Sequence, residues 1–431
     1  MMTDFKARRQ RALDAIHPGV MVLPAAPVAI RNNDVEHDYR QDSDVHYLTG
    51  FDEPESVVVL NSVREPHYTL FVRPRDPERE TWDGARAGVD GALERFGADA
   101  AHPIAALADE LPRLLEDVPS LHYRLGLERR FDERVLAALD RVRARAKLGV
   151  AWPTRIVEPG AVLHELRLRK SREELELMRR AISITAEGHL EAMAQTKPGM
   201  FEYEVEAVLR AVFSRRGAER HAYSPIVGSG PNATVLHYRS NDRQMQAGEL
   251  LLIDAGCELG YYASDITRTF PVSGSFSKEQ REIYEIVLDA QLASIEATRP
   301  GATLDEIHAK SVEVIAAGLA RLGIIAGPPP EAVEQQRYKP YFMHKTSHYL
   351  GMDVHDVGAY FVEGKPRALE PGMVLTVEPG IYIGERAAAP ERYRGIGVRI
   401  EDDVLVSPEG RIVLSEAIPK SADDVERACR A

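Results

Sequence analysis

Apolar and polar positions follow two different periods along this chain. Residues 3–16 space their apolar side chains as a helix does. VMVLPA, SVVVLNS and HYTLFVRP are short apolar runs with charge or turn residues around them, which predicts buried strands. Further helices are expected near 104–116 and 131–147. Strands interleaved with helices predict an α/β domain over residues 1–165. Turns at Trp152-Pro153 and Glu158-Pro159-Gly160 mark a linker. The second domain, 166–431, opens on a long amphipathic helix whose Ser171-x-x-Glu174 start fits a capping box.

The second half repeats itself. Helix, Lys197-Pro198-Gly199, helix and Gly217 are echoed about a hundred residues later by helix, Arg299-Pro300-Gly301, helix and Gly323. AGELLLIDAG then aligns without gaps on PGMVLTVEPG, pairing Gly248 with Gly372, Asp254 with Glu378 and Gly256 with Gly380. Each half adds a further acidic strand, carrying Asp265 in the first and Glu401 in the second. A duplicated helix–helix–strand–strand unit would gather these carboxylates about a pseudo-two-fold axis.

Composition adds limits. With 44% hydrophobic and 28% charged residues, a soluble globular chain is expected. The formal charge of −13 and the lack of a strongly basic stripe argue against nucleic acid as partner. No apolar run is long enough for a membrane span. The charged start is unlike an apolar signal segment, and two cysteines are too few for a disulfide framework. Cytoplasmic residence is the expectation.

The chemistry lies on strand-like runs. LLIDAG, YYASDITRTF, MHKTSHYLG, VLTVEPG and GVRIEDDVLV place Asp254, Asp265, His348, Glu378 and Glu401 beside turn signals. Carboxylates gather in an apolar centre only when something neutralises them. Two divalent cations would do so, with the imidazole as a fifth ligand. Oxygen-rich ligation favours manganese, cobalt or iron over a structural zinc site. In a strand through YASDITRTF, Asp265 shares its face with Thr267 and Thr269, small polar neighbours suited to supporting a ligand. HKTSHYLGMDVHDVG brings His344, His348 and His355 into one run, where Asp353 and Asp356 would orient His355. His237 in VLHY is a further candidate, and Cys257 reads as a small buried hydrophobe.

These strings, with YRQDSDVHYLTGFDEPESVVVL, TWDGARAG, IVGSGPNATVLHY and TVEPGIY, resemble the metal-dependent pita-bread peptidases, most closely bacterial aminopeptidase P. The resemblance covers almost the whole chain. It implies a creatinase-like α/β domain followed by a pita-bread domain, an α+β architecture overall. It implies that Asp265 and Glu401 bridge two metals, that Asp254 completes one, and that His348 with Glu378 completes the other. Mn2+ is the expected ion, with Co2+, Fe2+ or Zn2+ as alternatives. His237, His344 and His355 would line the cleft. Tyr382 and Arg399 would shape its proline side, and Tyr223 would hydrogen-bond a bridging carboxylate. Glu378 would move the proton. Hydroxide formed between the metals would attack the first peptide bond of a peptide with proline in second place. A dimer or tetramer is implied, with Trp82 reaching a neighbouring subunit. Lys345-Thr346 departs from the family's expected pattern of glycine followed by an apolar or small residue. Prolidase, a metal-free binding module and creatinase-like hydrolysis without metal stay open as alternatives.

Overall fold

The computed structural model describes residues 4–430; residues 1–3 and 431, and with them the first position of the predicted 3–16 helix, lie outside that range. The chain divides into two units, Met1–Arg167 and Leu168–Ala431.

The first unit is built on a mixed sheet. Its strands are β1 (Val20–Pro24), β2 (Val57–Asn61), β3 (Tyr68–Val72), β4 (Ala100–Pro103), β5 (Ser120–His122) and β6 (Arg155–Val157), ordered β4-β3-β2-β1-β5-β6. β1, β2 and β3 pair antiparallel, whereas β3–β4, β1–β5 and β5–β6 pair parallel. The three apolar runs become the central strands because both their faces are covered. Val20, Val22, Val57, Val59 and Phe71 pack with Leu111, Val135 and Leu139. Its longer helices are α1 (Phe5–Ile16), α2 (Leu107–Leu114) and α3 (Arg129–Arg143), with a 3-10 turn at Ile104–Ala106 entering α2 and shorter helices elsewhere, among them Pro77–Asp83. α3 thus begins and ends earlier than the pattern predicts. The three outer strands carried no signal, being too short to show a period.

In the second unit, α4 (Arg172–Gln195) and α5 (Glu202–Arg215) are followed by strands, and α6 (Lys278–Ala297) and α7 (Leu304–Arg321) are followed by strands again. The expected capping box is present: Ser171 Oγ accepts from Glu174 N, and Glu174 Oε2 accepts from Ser171 N at 2.9 Å. The equivalent helix α6 opens on Ser277 and Gln280 in the same arrangement. β7 (Ile226–Ser229), β8 (Leu250–Asp254) and β9 (Thr267–Pro271) form one antiparallel sheet. β10 (Val374–Val377) pairs with β13 (Asp402–Ser407) and that with β14 (Gly410–Val413), while β11 (Gly380–Ile383) pairs with β12 (Ile396–Arg399). β8 and β10 are the two aligned ten-residue strings. Gly248 and Gly372 both enter them with positive φ, +83° and +93°. Leu251 and Ile253 of β8 and Val398 of β12 join Leu209, Phe213, Ile283, Val287 and Ile315 of the helices in one apolar cluster. That packing leaves the carboxylates at the strand ends.

YYASDITRTF is not one strand. It breaks after Tyr262–Ala263 and resumes at Thr267, so Asp265 sits in the gap between strands. A side chain in a gap is aimed by the local backbone rather than by the pleat.

Candidate metal centre

Three of the four acidic residues are delivered beside strand ends, and Asp265 by the gap between Tyr262–Ala263 and β9. Asp254 is the last residue of β8, opposite Thr267 in the register with β9. Glu378 directly follows β10 and Glu401 follows β12 by two residues. Gly256 and Gly380, matched in the repeat, allow the turns beside Asp254 and Glu378. A Cβ on Gly256 would lie 1.8 Å from Ser264 O, and one on Gly380 would lie 2.9 Å from Val398 O. His348 is fixed by two bonds to β10: its N–H reaches Thr376 Oγ1 at 3.2 Å, and its carbonyl accepts from Thr376 N at 3.0 Å.

The five residues converge. Ligand atoms of Asp265, His348 and Glu401 all lie within 4.8 Å of one another. His348 Nε2 lies 3.3 Å from Asp265 Oδ2 and 3.6 Å from Glu378 Oε1. Its other nitrogen, Nδ1, faces Tyr349 O at 3.0 Å. A carbonyl only accepts, so Nδ1 carries a proton and Nε2 is the atom presented to the carboxylates. Asp254 joins through Arg399, whose Nη2 donates to Asp254 Oδ2 at 2.6 Å.

Charge in the cradle is poorly balanced. Burial, then Asp265, Glu378 and Asp254, push Glu401 well above the usual carboxylate range. Burial raises Asp254 against the pull of Arg399. Burial also lifts Glu378 to about 8, despite His348 and Arg399. Burial disfavours a charged His348 ring, but Asp265 and then Glu378 prevail and hold it up to about 9. Four carboxylates against one guanidinium and one imidazole leave an excess of negative charge that divalent cations fit. The oxygen-rich donor set suits hard or borderline ions.

The other residues singled out in the sequence lie around this cradle or apart from it. Tyr223 donates to Asp254 Oδ1 at 2.5 Å, not to Asp265 or Glu401; the reach of its ring ends at β8. Arg399 has all three of its donor groups engaged: Nη2 on Asp254, Nη1 on Tyr382 Oη at 3.0 Å and Nε on Thr267 Oγ1 at 3.1 Å. It therefore braces the cradle, and the second N–H of each Nη is left for a further acceptor. Tyr382 Oη also meets His344 Nε2 at 2.9 Å. His355 stands edge-on to His348, ring centres 4.4 Å apart. His237 lies in an exposed turn, near enough that its charge acts on both His344 and His355. Trp82 is 86% exposed on a short helix of the first unit, Pro77–Asp83.

Further side chains support the cradle, the two threonines expected from the strand pattern and, beyond that expectation, Arg268, Asp402 and Asp403. Thr267 Oγ1 donates to Glu401 Oε2 at 2.6 Å, and Thr269 Oγ1 donates to Arg399 O at 3.0 Å. Both lie on the face expected to support Asp265. Behind them, fully buried Arg268 donates to Glu401 O at 2.6 Å and pairs with Asp402 at 2.8 Å. Asp402 also accepts from Gln291, Ser415 and Lys420. Burial works against its charge, but Arg268 and Lys420 hold it far below the ordinary carboxylate range. Asp403 Oδ2 accepts from Asp265 N at 3.2 Å. Three consecutive acids in an apolar run, Glu401-Asp402-Asp403, were the available signal.

Comparison with known proteins agrees with this geometry. Residues 176–408 match the model of metallopeptidase family M24, and residues 5–122 match that of the aminopeptidase P N-terminal domain. An Xaa-Pro aminopeptidase of Escherichia coli is 44% identical over 426 residues, covering 98% of this chain and 96% of the relative. One from Haemophilus influenzae is 42% identical over 425 residues, with the same coverage. Among solved structures, a Pseudomonas aeruginosa aminopeptidase superposes with a TM-score of 0.97 at 48% identity, covering 99% of this chain and 97% of that one. A zinc-substituted E. coli aminopeptidase P in complex with product gives 0.96 at 43% identity, with the same coverage. The chain belongs to metallopeptidase family M24, in the group that carries the aminopeptidase P amino-terminal domain.

Proposed function

We propose that the chain removes the first residue from peptides with proline in second place, hydrolysing the Xaa-Pro bond. The observation that carries this reading is the convergence of Asp265, His348 and Glu401 ligand atoms within 4.8 Å. Relatives that are Xaa-Pro aminopeptidases over nearly their whole length support the substrate.

Asp254, Asp265, His348, Glu378 and Glu401 would hold two divalent ions, with Asp265 and Glu401 shared between them. Mn2+ is the ion proposed, with Co2+, Fe2+ and Zn2+ as alternatives. When bound, such ions supply Lewis-acid stabilisation and bring the pKa of water down toward ~7. Glu378 takes the proton from the attacking water on its carboxylate and delivers it to the leaving proline nitrogen. His355 and His237, at the exposed rim, donate hydrogen bonds to the oxyanion that develops on the scissile carbonyl. Each is worth ~2.7–4 kcal/mol if comparable to other donors of this kind. The substrate's free amine would lie by Asp254 and the ion it holds, which limits cleavage to one residue from the end. His344 is held toward the cleft by Tyr382, and Arg399 locks Asp254 and Tyr382 in one arrangement.

Proline fits this logic. An Xaa-Pro amide has no N–H and a fixed φ, so a site that reads an extended strand by hydrogen bonds handles it poorly. A cleft shaped by rings and braced by Arg399 has no need of that N–H. Cytoplasmic residence and a homodimer or homotetramer complete the proposal, with Trp82 reaching a neighbouring subunit. The test is a comparison of an Xaa-Pro dipeptide with an Xaa-Pro-Xaa tripeptide in the Mn2+-loaded protein. Turnover of the tripeptide at least as fast supports an aminopeptidase; strong preference for the dipeptide assigns a prolidase.

A further inference from the structure

Lys345 and Thr346 take no part in the cradle, yet both face α7. Asp305 and His308, three residues apart, share one face of that helix. His308 Nδ1 meets Thr346 Oγ1 at 2.9 Å, and Lys345 Nζ meets Asp305 Oδ1 at 3.2 Å. The second pair is exposed and contributes little. Thr346 is fully buried, and its carbonyl accepts the Glu378 N–H at 2.8 Å. The His308 ring also lies 5.4 Å from that of Phe342, which meets His344 edge-on at 5.1 Å. The backbone between His344 and His348 is therefore gripped from β10 on one side and from α7 on the other.

We propose that His308 is a positioning residue for the hydrolysis: its hydrogen bond to Thr346 fixes the stretch of backbone from which the Glu378 amide hangs, and so sets the placement of Glu378 between the two flanking histidines. Burial, and then Lys345, hold the His308 ring down to about 4, so it stays neutral wherever the enzyme works. The ring's hydrogen bond is to Thr346 and not to a proposed ligand residue, so it acts through Thr346. A displacement of ~1 Å at a proton-moving carboxylate is enough to cost up to about a hundredfold in rate. The inference rests on the aminopeptidase reading, so its test carries a measurement independent of activity.

Thr346→Val, Thr346→Ser, His308→Ala and the Thr346→Val/His308→Ala double variant are compared on an Xaa-Pro-Xaa tripeptide at saturating Mn2+. In parallel, hydrogen exchange of the Glu378 amide is followed in the metal-free protein. Thr346→Val and His308→Ala are each expected to lower kcat by about tenfold or more with KM within about twofold. Thr346→Ser keeps the hydroxyl and restores kcat, and the double variant is no slower than either single one, because both remove one bond. The Glu378 amide exchanges about tenfold faster in Thr346→Val and His308→Ala than in Thr346→Ser. Unchanged kcat with only a lower melting temperature, multiplying effects in the double variant, or failure of Thr346→Ser to rescue overturns the proposal. His308→Ala leaves the buried threonine untouched and decides the matter should Thr346→Val not fold. A wild-type protein that cleaves no Xaa-Pro-Xaa peptide defeats the functional reading alone, and the exchange rates still decide the role of His308.

Discussion

At Glu378, burial outweighs the pull of His348 and Arg399 and lifts the carboxyl from its ordinary 4.5 to about 8 when no cation is bound. The folded state then holds a proton that the unfolded chain has released. A group of this kind stabilises fully below pH ~4.5, and that contribution is lost as pH rises toward 8. Cations reverse the sign, because they need the carboxylates deprotonated. The drop in melting temperature on adding a chelator is therefore expected to be larger at pH 8 than at pH 6; an equal or smaller drop at pH 8 contradicts the charge assignment. Glu378→Ala is expected to abolish tripeptide turnover, with far-ultraviolet circular dichroism unchanged; near-normal rates in a metal-loaded variant would refute its role. All five proposed ligands were legible in the sequence, because carboxylates and an imidazole beside turn residues on apolar runs need a reason. The brace of Arg399 on Asp254, Tyr382 and Thr267 was not legible, since those partners meet only across strands whose register the sequence does not state.

Strands and their turns carry these side chains, and here the internal repeat was the strongest clue. β8 and β10 occupy the two aligned strings, and Gly256 and Gly380 serve the same purpose after each. Gly256→Ala would drive a methyl group against the Ser264 carbonyl, where 1.8 Å is available. The expected loss is ~3 kcal/mol or more in urea unfolding, at the upper end of overpacking penalties; a loss under ~1 kcal/mol would show that the turn can open. The loop with His355 is anchored differently. Lys170 Nζ pairs with Asp356 Oδ2 at 2.9 Å, both side chains 1% exposed. Removing the lysine takes the cation from a buried carboxylate, so Lys170→Met is expected to cost ~3 kcal/mol of stability, read from denaturant midpoints. From its place beside His355, Asp356 was expected to orient that ring, but a lysine nearly two hundred residues away could not be paired with it. Asp265 shows the opposite limit: the alternating pattern predicted its supporting face yet missed the break in the strand, because Tyr262–Ala263 and Thr267–Pro271 look continuous in one dimension.

For the whole molecule, two units were visible from the change of pattern near residue 160, while the outer strands of the first sheet were hidden by their brevity. No helix among the described residues is long and apolar enough to cross a membrane. Trp82 stands 86% exposed, a large apolar surface that an oligomer contact would cover. Trp82→Ala is expected to raise KM for the tripeptide or to weaken assembly in analytical ultracentrifugation, and unchanged kinetics and mass would remove that role. Everything else depends on two cations sharing Asp265 and Glu401. Calorimetric titration of the metal-free protein with Mn2+ tests this most directly. Two ions are expected to bind per chain, with at least one lost in Glu401→Ala while circular dichroism stays unchanged. A wild-type protein that takes up no more than one ion, or a Glu401→Ala variant that still binds two, contradicts the shared centre.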